Sequence, residues 1–141
     1  MQDHSLTHMD GHGDGHGVYD ASAGHLLAQV SNAMVRIYKE DFGRGPTRSV
    51  SHFAGPDAII CILRDSLTRA ELRLIEIGEV ERMRETRLVF QHASEERFRG
   101  AVEEITGRRV VAFVSGIDGN TDIALEYFAL APGIDGHTPG A

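Results

Sequence analysis

The sequence predicts an α+β fold: two αββ units forming one mostly antiparallel four-stranded sheet, with helices packed on one face. Two observations point there. Apolar residues recur at steps of three and four in one segment near the start of the chain and in another after Ser94. Each segment stops at a glycine–arginine turn and is followed by two short apolar runs joined by a turn, which reads as strand, turn, strand.

The first helix is expected over about 22–42. Leu27, Val30, Met34 and Ile37 make one apolar stripe that ends at Asp41 or Phe42, and Gly43-Arg44-Gly45-Pro46 stops it. Residues 47–53 read as a strand, Gly55-Pro56-Asp57 as a turn and the apolar run 58–63 as the partner strand. Thr68 with Glu71 three residues later is a capping box, so a helix begins there. Charged helices over about 68–91 link the two units. Leu72 and Ile75 face inward, Gly78 breaks or kinks the pattern, and Val80, Met83, Arg87 and Leu88 continue it. Ser94 is the expected cap of a segment whose stripe is Phe98, Ala101, Val102 and Ile105, ended by Thr106-Gly107. Residues 110–115 form the third strand, Asp118 to Asp122 a hairpin turn and 123–130 the fourth strand. In that last strand Ile123, Leu125 and Tyr127 alternate with Ala124, Glu126 and Phe128, so one face is more apolar but neither is fully polar.

The chain has 141 residues, which suits one domain, and 41% of them are hydrophobic, enough for one core. The organisation expected is a disordered His/Gly/Asp-rich tail over 1–20, a single domain over 21–131 and a second disordered tail over 132–141. No run approaches the ~20 apolar residues that span a bilayer, and no signal-peptide pattern is evident. Cys61 is the single cysteine, which excludes an internal disulfide, and it reads as a small buried hydrophobe. These features predict a cytoplasmic protein. The net charge of −7 argues against a specific nucleic-acid partner, while residues 64–109 carry as many arginines as acids.

Three sets of residues could carry chemistry. His4, His8, His12 and His16 are spaced by four, with Asp3, Asp10 and Asp14 between them; neutral imidazoles bind divalent transition metals. Gly11, Gly13, Gly15 and Gly17 oppose the helix that would align them, so a solvated tail with loose metal affinity is the plainer reading. No other cofactor is expected. The second set is Gly43, Arg44 and Gly45. Their backbone N–H groups and the Arg44 fork suit an anion, although a helix C-terminus opposes one. If this turn meets Gly107-Arg108-Arg109 at one end of the sheet, Arg44, Arg108 and Arg109 form a small-anion site. The third set is His52 and His92, single histidines that read as surface or half-buried groups. No nucleophile, base and oxyanion donor can be assembled, so no catalytic residue is named and no enzyme is expected.

Four short motifs, in this order of elements, resemble a known family: Phe42-Gly43-Arg44-Gly45-Pro46, Leu67-Thr68-Arg69-Ala70-Glu71-Leu72, Glu104-Ile105-Thr106-Gly107 and Tyr127-Phe128-Ala129-Leu130. The chain is similar over about 24–131 to the MpsC-like bacterial family of unknown function, named for a Na+-translocating, membrane-potential-generating system. The histidine tail lies outside that pattern. The resemblance implies a small accessory component of a membrane cation or bicarbonate transport system, with no catalytic residues. It marks Gly43, Arg44, Gly45, Pro46, Thr68 and Glu71 as positions the family uses, and turn and cap roles suffice to explain most of them. The leading expectation is therefore a non-enzymatic accessory or regulatory protein acting by protein–protein contact, cytoplasmic or peripheral to the inner membrane. A homodimer through sheet edges and a transporter subunit are the expected partners. The alternative is a sensor that binds a small anion or nucleotide near the glycine–arginine turns.

Overall fold

A computed structural model describes residues 13–133 of the chain. Helix α1 (Gly13–Phe42) is followed by strands β1 (Arg48–Phe53) and β2 (Ala58–Arg64), then by helices α2 (Arg69–Glu76), α3 (Val80–Ala93) and α4 (Glu95–Thr106), and last by strands β3 (Val110–Asp118) and β4 (Ile123–Leu130). The α+β class and the two αββ units are as the sequence predicts.

Helix α1 starts earlier than the expected residue 22. Its glycine-rich first turns have poor intrinsic propensity, but extending a packed helix needs no new nucleus. The tail expected over 1–20 thus falls partly outside the described residues and partly in these first turns. The helix ends where expected, at Gly43, whose φ of 82° only glycine adopts freely; its N–H donates to the Lys39 carbonyl at 3.0 Å. Gly107, with φ 71°, ends α4 in the same way. The capping box of α2 is formed: Thr68 Oγ1 accepts from the Glu71 N–H, and Glu71 Oε1 accepts from the Thr68 N–H. Gly78, at φ 85°, separates α2 from α3. Ser94 stands at the start of α4 without the expected side-chain cap; its hydroxyl donates instead to Asp41 Oδ2 at 2.7 Å, tying α4 to the end of α1.

The four strands form one antiparallel sheet in the order β1-β2-β4-β3. The two αββ units therefore meet at the central β2–β4 pair, with one hairpin on each side. Side chains of Ile59, Cys61, Leu63, Ala124, Phe128 and Leu130 point from the sheet into the helix layer. There they pack on Val30, Met34, Ile37 and Tyr38 of α1, on Met83 of α3 and on Phe98 and Val102 of α4, all buried. The opposite face holds the other parity of each strand, and Val50, Val114 and Leu125 on it are exposed. The alternation read in β4 thus resolves with Ala124, Glu126, Phe128 and Leu130 inward, and the more apolar-looking Ile123, Leu125 and Tyr127 outward.

Candidate functional site

The most unusual chemistry in the molecule is a buried polar network beneath the helix layer. Met83, Arg87 and Gln91 follow one another at intervals of four on α3, so all three face the sheet, and all three are buried. Arg87 is an arginine in a core position. Its Nη1 donates to Glu71 Oε1 at 2.7 Å, its Nη2 to Ser66 Oγ at 2.9 Å and its Nε to Gln91 Oε1 at 3.1 Å. The guanidinium carbon stands 4.4 Å from the Phe42 ring centroid and 5.3 Å from that of Tyr38. A fully buried guanidinium is tolerated only when its donors and its charge are matched in this way.

Gln91 carries the network on to the sheet. Its Nε2 donates to Ser115 Oγ of β3 and, at 3.4 Å, to Glu126 Oε2 of β4. The Tyr38 hydroxyl of α1 donates to the same Glu126 oxygen at 2.5 Å. Glu126 is completely buried, and its Oε1 has no hydrogen-bond partner among the described residues. Burial pushes its carboxyl up to about 8, against the lowering pull of the Ser115 and Tyr38 hydroxyls and the Arg87 charge. Burial likewise pushes the Tyr38 hydroxyl well above its ordinary range, with Glu126 adding to the effect, and pushes the Cys61 thiol up. Glu126 therefore holds its proton at neutral pH. The network joins a neutral carboxyl on the central strand to a charged Arg87–Glu71 pair at the start of α2.

Glu71 and Phe42 also floor a surface cleft. It lies between the end of α1, α2 and α3, encloses about 260 Å³ and is lined further by Thr68, Leu74, Thr86 and Phe90. Asp41 at its edge is paired with Arg97 of α4. The cleft can take an apolar group, and the ion pair beneath holds its floor in place. A more open groove of about 340 Å³ runs between α1 and β1 past Leu27, Ser31, Ser49 and Val50, and among the described residues its lining contains no charged side chain.

The glycine–arginine turns do not form one site. The strand order puts the start of β1 and the start of β3 at opposite ends of the sheet, some seven strand residues or ~24 Å apart. Gly43, Arg44 and Gly45 lie at one end, where Arg44 Nη2 is 3.0 Å from Asp65 Oδ1. Arg108 lies at the other, donating to the Ala131 and Pro56 carbonyls at 2.8 and 2.9 Å and pairing with Asp57, beside the exposed Arg109. The two turns are alike because each ends a helix ahead of a hairpin. Of the histidines proposed as metal ligands, His4, His8 and His12 lie outside the described residues, and His16 falls in the first turns of α1, where side chains are not described. His52 is exposed on the open sheet face. His92 is exposed too, with Nδ1 2.8 Å from the Leu88 carbonyl. Asp118 and Thr121 make the expected hairpin turn.

Arg87, Gln91, Tyr38 and Glu126 were not legible as a site in the sequence. The signal available was the α3 stripe itself, which places an arginine and a glutamine after Met83 at core spacing. Comparison with curated proteins and with solved structures returns no match. The family model described as "Na+-translocating membrane potential-generating system (MpsC)" matches residues 22–132, which take in both αββ units, the network and the cleft. The chain belongs to the MpsC family.

Proposed function

We propose that the chain is a non-enzymatic accessory or regulatory protein of a membrane cation or bicarbonate transport system, cytoplasmic or peripheral to the inner membrane, and that it works by protein–protein contact. The observation that carries this reading is the cleft between α1, α2 and α3. It is apolar in its walls, and Phe90 at its lip is 51% exposed. Val89 of the same helix and Ile77 between α2 and α3 are also exposed. A preformed recess beside exposed apolar side chains suits the anchor residue of a partner, and a floor held by the Arg87–Glu71 pair spares the complex much of the ordering cost. Arg73, Arg82 and Arg84 on these helices are paired with Glu76, Glu79 and Glu81 at i,i+3 spacing, so the surrounding surface is balanced in charge. The partner this surface fits presents an aliphatic or aromatic anchor within a polar, near-neutral rim. The family description supports placing that partner in a Na+-translocating system. No helix among the described residues is long and apolar enough to cross a membrane.

The test is affinity capture from the native organism, with solubilised membranes and cytosol examined separately, using the wild-type chain and Phe90→Glu. The reading expects a cation or bicarbonate transporter subunit recovered from membranes by the wild type and lost with the variant. Recovery of no transporter subunit from membranes by the wild type overturns it.

A further inference from the structure

The open face of the sheet is a second surface, distant from the cleft in chemistry and in place. Strand pairing arranges its side chains in rows. Across one end run Arg48, Arg64, Ile123 and Asp118; next come Val50, Ile62, Leu125 and Gly116; then His52, Ile60, Tyr127 and Val114; and last Ala58, Ala129 and Ala112. The inner rows are apolar apart from His52 and the Tyr127 hydroxyl. Val50, Val114 and Leu125 are 46%, 56% and 37% exposed. The charged side chains of these rows are confined to the first row, basic on the β1 side and acidic on the β3 side.

We infer that this face is covered by the same face of a second copy of the chain, packed sheet on sheet about a two-fold axis parallel to the strands. Three features favour this occupant. The first is charge. Such an axis lays β1 of one copy over β3 of the other and keeps each row over its own row. Arg48 then faces the second copy's Asp118, and the apolar rows face one another, with Val50 over Gly116 and Ile62 over Leu125. Aligned sheets of this kind pack ~10 Å apart at ~30°. The second is area. Four strands ~4.8 Å apart, with about seven residues of ~3.4 Å each, give a face of about 19 by 24 Å. Two such faces cover ~900 Å² in projection, and side-chain relief brings the accessible area into the ~1,200–2,000 Å² range of stable interfaces. The third is what else the chain offers. The segments outside the described residues, 1–12 and 134–141, are dominated by Gly, His, Asp and other polar residues, a composition unsuited to covering Val, Ile and Leu. Pairing through the β3 edge is disfavoured, because that strand is bulged between Val110 and Ala112.

Light scattering after size-exclusion chromatography of the full chain tests this directly. The wild type is expected to elute with the mass of two chains. Leu125→Glu places a charge over the second copy's Ile62 at a position exposed in the single chain, and is expected to give the mass of one chain with an unchanged far-UV spectrum. Arg48→Asp is expected to weaken the dimer at least about tenfold through like-charge opposition, and adding Asp118→Arg is expected to restore it. Three results overturn the inference: a wild type with the mass of one chain at high micromolar concentration; a Leu125→Glu dimer as tight as the wild type, which assigns the contact to an edge; or a single-chain wild type that binds lipid vesicles and loses them with Leu125→Glu, which assigns the face to a membrane. None of these results bears on the transporter contact at the cleft.

Discussion

The buried carboxyl of Glu126 makes the stability of this protein depend on pH in a direction opposite to that of most acids. In the unfolded chain its pKa is near 4.5; in the fold, burial raises it to about 8. Between those values the folded state binds the proton and the unfolded state releases it, so stability falls as pH rises. The contribution is fully present below about pH 4.5, shrinks across the interval and is gone above about pH 8. At ~1.36 kcal/mol per unit, the span of roughly 3.5 units amounts to about 4–5 kcal/mol, of which about 3 has been lost by pH 7. Glu126→Gln removes the ionisation and keeps the shape. Its amide oxygen can accept from Tyr38, while its NH2 takes the place of Oε1, which has no partner. The neutral wild-type carboxyl leaves the same atom unpartnered, so the cost of about 1–3 kcal/mol for an unsatisfied group is common to both chains at low pH. Urea denaturation of both chains, followed by far-UV circular dichroism at about pH 5, 7 and 8.5, separates the two effects. The variant is expected to be close to the wild type in stability at the lowest pH and to gain on it by several kcal/mol towards the highest. A stability difference constant within ~1 kcal/mol across the series would refute the reasoning, because Glu126 would then ionise alike in both states.

Three further outcomes are expected in the same denaturation assay. Arg87→Met leaves Glu71, Ser66 and Gln91 without their shared donor, and a loss of about 3–5 kcal/mol is expected, partly recovered when Glu71→Gln is added; a loss under ~1 kcal/mol would show that the pair is not structural. Thr68→Ala removes the oxygen that caps α2 and should cost ~1 kcal/mol, lowering the urea midpoint without changing the slope. Two glycine-to-alanine changes should have opposite signs: Gly43→Ala, at φ 82°, destabilises by about 1 kcal/mol, whereas Gly24→Ala, in the exposed interior of α1 with nothing within 4 Å of the new Cβ, stabilises by a similar amount.

The parts of the fold legible in the sequence were those set by local chemistry. Thr68 and Glu71 announce a helix start because both partners of the capping box lie within one turn. Gly43 and Gly107 announce helix ends because glycine alone takes their left-handed dihedrals without strain. The hairpins follow from short apolar runs around turn residues. The network was not legible, because its members come from α1, α2, α3, β3 and β4 and meet only when the sheet order is known. Glu126 illustrates the difficulty. In an alternating strand a glutamate marks the solvent side, and here that rule points the wrong way, since both faces of β4 are largely apolar and the helices cover the one that includes the acid. The anion site imagined at Arg44 and Arg108 failed for the same reason: two similar turns say nothing about which ends of the sheet they occupy.

The central β2–β4 pair has a consequence for how the chain reaches its fold. Ala58 pairs with Ala129, so the middle of the sheet closes a loop that spans half the chain, with α2, α3 and α4 inside it. Each hairpin can form early from neighbours in sequence, yet neither has a complete core until the other arrives. Such non-local closure slows folding and leaves β2 as an open, apolar edge during synthesis. A chain truncated between β2 and β4 would present that edge permanently, and aggregation is the expected fate of the fragment.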